Sequence, residues 1–114
     1  MPTETRQLIF TNDEVIAAMT SHNRIAVEKL FVGTIVQCRL APEPDVSLRL
    51  TIRHETTKNT YDLVFGPDAI EPALIRYCLE INIPLPKRGH KRFGIVQGRV
   101  VMTITLDQHA GHVV

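Results

Sequence analysis

The apolar positions of this chain follow a helical period near the N-terminus, a period of two after Gly33, a helical period again after Phe65, and a period of two once more near the C-terminus. The first helical stretch opens at "FTNDEV", residues 10–15. Thr11 and Glu14 have capping-box spacing, while Phe10 and Val15 have the spacing of a hydrophobic staple, so four residues agree on one helix start. Val15, Ile16, Ala18 and Met19 supply the stripe that this helix buries. "TSHN" at 20–23 is a run of poor helix formers, so a break is expected there. The following "RIAVEKLFVG" is read as helix resuming up to Gly33, with extended chain over residues 24–32 as the other option.

In "TIVQCRL", Val36, Cys38 and Leu40 alternate with Gln37 and Arg39. In "VSLRLTIR", Val46, Leu48, Leu50 and Ile52 alternate with Ser47, Arg49, Thr51 and Arg53. Both read as half-buried strands. Pro42 and Pro44 separate them, since neither can sit in a ladder, and the polar turn "ETTKN" leads to "TYDLVF", where Tyr61, Leu63 and Phe65 share a face. A second helix follows in "GPDAIEPALIRYCLEIN", starting between Pro67 and Glu71 so that Pro72 falls in its first turn, with Ile70, Leu74, Cys78 and Ile81 along one stripe. "IPLP" ends it as a stiff extended connector. "KRFGIV" and "RVVMTITL" then flank the two-residue turn "QG", with Val100, Met102, Ile104 and Leu106 facing in.

These elements predict an α+β fold: a single, mostly antiparallel sheet, made of a three-stranded meander plus a C-terminal hairpin, with two helices packed on one face. A length of 114 residues suits one domain with a core of its own, and residues 1–9 and 107–114 are expected to be flexible ends. No internal repeat or low-complexity segment argues for an array. With no Trp, the core must come from Val, Ile, Leu and Ala. No apolar run reaches the ~18 residues of a membrane span or the pattern of a signal peptide, so a cytoplasmic protein without a membrane partner is expected.

Candidate chemistry is sparse. Cys38 and Cys78, 40 positions apart in apolar patterns, read as small buried hydrophobes rather than metal ligands or nucleophiles. Neither a phosphate-binding glycine loop nor a nucleophile elbow occurs, and the serines, Ser21 and Ser47, have no catalytic context. Asp107, His109 and His112 fall within six residues but lack a fourth ligand and a frame, so no metal site is assigned. His54 in "RHE" has a neighbouring carboxylate and no identifiable nucleophile, and His22 stands alone in the weak helical stretch. Glu43, Asp45, Asp68 and Glu71 read as loop polarity and charges near a helix start. No catalytic residue and no cofactor is assigned.

Charge changes the picture more. The net charge of +1 conceals an asymmetry: residues 1–82 hold eight Lys or Arg against eleven Asp or Glu, whereas residues 83–114 hold five against one. Within "IPLPKRGHKRFGIVQGR", residues 83–99, Lys87, Arg88, His90, Lys91, Arg92 and Arg99 follow two prolines, which marks them as contacts for an anionic partner. The alternation also turns Arg39, Arg49, Arg53 and Arg99 away from the helices, giving a secondary basic sheet face. No outward aromatic accompanies these arginines, so base stacking has no support. The resulting expectation is a small non-enzymatic binding module that contacts nucleic acid or an acidic protein surface through the basic connector. A self-associating or protein–protein interaction domain is the alternative, and an enzyme with a small-molecule site between subunits is the third class.

Overall fold

In the computed structural model, residues 3–41, 47–86 and 89–107 are described. Among them the chain runs β1 (Thr3–Phe10), α1 (Asn12–Ile25), β2 (Thr34–Ala41), β3 (Ser47–Arg53), β4 (Thr60–Phe65), α2 (Pro67–Glu80), β5 (His90–Val96) and β6 (Arg99–Asp107). The fold is α+β, but the strands form two sheets of three rather than one sheet, ordered β1-β6-β5 and β2-β3-β4. All pairings within them are antiparallel.

The split has a cause that periodicity does not carry. Residues 3–9, expected as a loose end, instead extend as β1, which pairs with β6 from Thr3↔Asp107 to Phe10↔Val100. That pairing takes the free edge of the C-terminal hairpin, which therefore completes its own sheet instead of extending the meander. In "TETRQ" polar residues occupy both faces, so no alternation announces a strand. The pairing with β6 makes it one.

Helix α1 begins where the local signals place it. The Thr11 hydroxyl accepts from the Glu14 amide at 3.1 Å, and the Glu14 carboxylate accepts from the Thr11 amide at 2.9 Å. The expected break at 20–23 does not occur. Ser21 is buried, and its hydroxyl lies 2.7 and 2.9 Å from the two carboxylate oxygens of Glu80 on α2, so a contact between helices offsets weak propensity. Residues 26–33 are neither resumed helix nor strand. Asn23 explains the shape of that loop: its side-chain oxygen accepts from the Leu30 and Phe31 amides at 2.6 and 3.2 Å, and its amide nitrogen donates to the Phe31 carbonyl at 2.9 Å. The Tyr61 hydroxyl donates to the Val32 carbonyl at 2.7 Å, fixing the far end of the loop to β4.

A bulge between Ile35 and Gln37 corrects the face assigned to β2. Ile35, not Val36, enters the core, and Val36 is exposed. From Cys38 onward the inward set is as predicted, with Cys38↔Leu50 and Leu40↔Leu48 in register. Gly33 at φ 129° leads into this strand, and a Cβ there would lie 2.2 Å from the Arg53 carbonyl oxygen, so only glycine lets the loop pass β3 this closely.

Helix α2 starts at Pro67 after the N-cap Gly66, which places Pro72 beyond the first turn rather than within it. The residue is exposed, and its missing N–H deprives the Asp68 carbonyl of an intrahelical donor. Ile70, Leu74 and Cys78 are buried as predicted, whereas Ile81 lies past the last turn and is exposed. The turn joining β5 and β6 has positive φ at both Gln97 (52°) and Gly98 (74°), as a two-residue hairpin turn matched to strand twist requires.

One buried cluster draws on both helices and both sheets, including Phe10, Met19, Leu50, Ile52, Leu74, Met102 and Ile104. Burial of each such side chain contributes roughly 1.5–3 kcal/mol. The helices pack against each other, α1 reaching β1, β6 and β2, and α2 reaching β3 and β4. Each sheet thus buries one face. Among the described residues no helix is long and apolar enough to cross a membrane.

Candidate anion-binding surface

The outward face of β2-β3-β4 carries the densest cationic set that the described strands align. Arg39 and Arg49 are direct cross-strand partners, and Arg53 lies further along β3, opposite Thr34 and Thr60. Directly opposed residues place their Cβ atoms about 4.5–5.5 Å apart, and like charges in such pairs are destabilising. Among the outward strand residues of this sheet, Asp62 is the single carboxylate. It accepts from the Thr51 hydroxyl at 2.8 Å and sits 3.9 Å from the Arg49 guanidinium. Arg39 is held by a neutral acceptor instead, the Gln37 side-chain oxygen at 3.1 Å. One carboxylate, itself engaged by a hydroxyl, therefore faces three exposed guanidiniums.

Among the described residues, the cations at the start of β5 and β6 do not converge in the same way. Lys87 and Arg88 lie outside the described residues. The remaining charges fall on β5 and β6, where alternation divides them. His90 and Arg92 are exposed opposite Thr105 and Thr103 on the outward face, while half-buried Lys91 stands opposite Ile104 on the inward one. Lys91 donates to the Pro86 carbonyl at 3.3 Å, and the Gly89 amide approaches the same oxygen at 3.4 Å. A Cβ at Gly89 would lie 2.7 Å from the Ile104 side chain, so the glycine lets the connector lie close against β6. Lys91 thus ties Pro86 to the start of β5.

Arg99 does point outward, as predicted, but on the other sheet from Arg39, Arg49 and Arg53. It borders a shallow concavity of about 370 Å³, together with Gln7, Ile9, Val96, Gln97 and Val101. Arg92 and Arg99 are separated along the sheet by the Phe93↔Met102, Gly94↔Val101 and Ile95↔Val100 pairs. Comparison of the chain with known protein families, with curated proteins and with solved structures gives no match.

The residues considered for catalysis have structural occupations. The His54 amide donates to the Asn59 carbonyl at 2.9 Å, its carbonyl accepts from the Lys58 amide at 2.9 Å, and its Nδ1 accepts from the Thr56 amide at 3.3 Å, so it organises the β3–β4 turn. Burial pushes the Cys38 thiol up to about 11. Cys78 is fully buried, and burial raises its thiol first, then the Glu14 charge, against a lowering by Arg6. Both sulfurs are held in the unreactive thiol form. His109 and His112 lie outside the described residues, and among the described ones no cluster of His, Cys, Asp or Glu is arranged for a metal ion.

Asn23 and the Ser21–Glu80–Arg76 group are structural residues that pattern reading missed. Arg76 lies 3.4 Å from the Glu80 carboxylate and 3.5 Å from the Ser21 hydroxyl. The signal was present as polar residues at 20–23, and it marked tertiary hydrogen bonding rather than a break.

Proposed function

We propose that this chain is a non-enzymatic binding module for an anionic macromolecule, with Arg39, Arg49 and Arg53 as its principal contact and His90, Arg92 and Arg99 as a second outward group. The observation that carries this reading is the cross-strand register of Arg39 against Arg49, with one carboxylate on the same face. Two guanidiniums held side by side on a sheet cost stability in the free protein, and an incoming phosphate or carboxylate relieves that cost while gaining paired hydrogen bonds. Contact is electrostatic and independent of sequence, because none of the outward positions of β2, β3 and β4 is aromatic. Arg92 and Arg99 extend the same surface chemistry on the other sheet.

The test is salt-dependent retention on DNA, RNA and an acidic polypeptide. The variant Arg39→Gln/Arg49→Gln/Arg53→Gln is expected to lose retention at low ionic strength, with the slope of log affinity on log salt falling by about 3 for a phosphate polymer. Replacing Arg92 and Arg99 by Gln should weaken binding less. Retention of the triple variant equal to wild type removes the sheet face as the contact, and a wild type that none of the three polymers retains removes the function.

A further inference from the structure

Among the described residues the two sheets have four edges, and these are not equally protected. On β1, Glu4 and Arg6 stand on the same face as Ile104 and Leu106, so a strand added there would meet charge on the side that is apolar at the other end. On β5, His90, Lys91 and Arg92 follow the connector that carries Pro84 and Pro86. On β2, the bulge at Val36 interrupts the edge and Arg39 adds charge. Inward charges, basic residues, prolines and bulges are the means by which sheet edges resist pairing. Strand β4 has none of them. "TYDLVF" pairs regularly with β3 from Thr60 to Phe65, holds one charged residue, and is made largely of β-branched and aromatic residues. Val64 is 62% exposed beside this edge, and among the described residues no backbone hydrogen bond outside the β3 ladder reaches Tyr61 through Phe65.

We propose that β4 pairs antiparallel with β4 of a second copy about a two-fold axis at Leu63, joining two three-stranded sheets into one of six strands. The strand is self-complementary in one register. With Leu63 opposite its counterpart, Tyr61 meets Phe65 of the second copy on the inward face, and Asp62 meets Val64 on the outward face. Shifting the axis to Asp62 opposes two carboxylates, shifting it to Val64 shortens the overlap to three residues, and a one-residue slip sets inward against outward side chains. Cross-strand aromatic pairs are favourable, and a two-fold interface uses the same patch on both copies. This inference does not depend on the anionic reading, since self-association and polyanion retention are measured separately.

Val64 provides the test because its two neighbours have opposite charge. Within one chain it stands opposite Arg49. Across the proposed seam it faces Asp62 of the second copy. Val64→Asp is therefore favourable in the fold and repulsive in the dimer, and Val64→Lys is the reverse. Sedimentation equilibrium over a wide concentration range should show wild-type mass rising from 12.9 kDa toward twice that value. Val64→Asp should raise the dimer dissociation constant about tenfold or more, while Val64→Lys keeps or lowers it. Thermal melts in dilute solution should show Val64→Asp folded at least as stably as Val64→Lys, which separates lost pairing from lost fold. A wild type that stays at 12.9 kDa throughout overturns the proposal, as does equal weakening by both variants or undiminished association of Val64→Asp.

Discussion

The two sheets bury the same kind of inward face and differ in how they are assembled and in what they show to solvent. In β2-β3-β4 the strands follow one another directly, and the outward face collects Arg39, Arg49 and Arg53 around one carboxylate. In β1-β6-β5 the central strand is the last of the described strands and one edge is the first, and the outward face shows Ile9 and Val96 beside Gln7, Arg92 and Arg99. Charge density read along a sequence is thus a poor guide to charge density on a surface. Spread over two strands and fifteen positions of sequence, the arginines at 39, 49 and 53 gather on one face, whereas the cations at 91 and 92 are neighbours in sequence and point to opposite faces.

If both inward faces support one core, truncating the centre of either sheet should cost alike. Ile52→Ala on β3 and Met102→Ala on β6, both fully buried, should each lose about 2–5 kcal/mol in a denaturant titration. A loss below about 1 kcal/mol at one site would show that its sheet is peripheral. The glycines sharpen the contrast next. Gly33→Ala should cost about 3 kcal/mol or more, since the new Cβ strikes the Arg53 carbonyl as well as taking an unfavourable φ, whereas Gly98→Ala meets open space and should cost about 1–2 kcal/mol. Equal losses would remove the steric argument for Gly33.

Thr11→Ala, beside β1, should lose about 1 kcal/mol through the missing N-cap acceptor, read as a lower denaturant midpoint at unchanged slope. Cys38 makes the β2 side sensitive to alkali. Its folded thiol titrates near 11 against an ordinary value of 9.0, so the unfolded chain releases its proton first and stability falls as pH rises from about 9 to 11. Cys38→Ala should remove that component of the slope of stability on pH. The smallest effect belongs to the outward arginines: Arg39→Gln should change stability by a few tenths of a kcal/mol in the favourable direction, as a like-charge pair is relieved. A measurable destabilisation would mean that Arg39 contributes packing through its stem.

What the chain declares locally it declares well. The capping box at Thr11 and Glu14, the turn at Gln97 and Gly98, the buried stripe of α2 and the alternation of β3, β4 and β6 all depend on neighbours a few residues away. Such interactions are legible because the same residues that make the signal satisfy it. The outward direction of Arg49, Arg53 and Arg99 follows from that alternation alone, and that of Arg39 from the part of β2 beyond its bulge.

Partners across space were settled only by tertiary structure. The face of Val36 was lost to a bulge, the polar strand β1 exists because β6 offered it an edge, and α1 runs through Thr20–Asn23 because Glu80 lies in reach of Ser21. The division of one expected sheet into two, and with it the separation of Arg99 from the other three arginines, has the same origin. Period and propensity determine which side of a strand is apolar, but an unpaired edge accepts any strand whose inward face completes the core, and only the packed chain selects it.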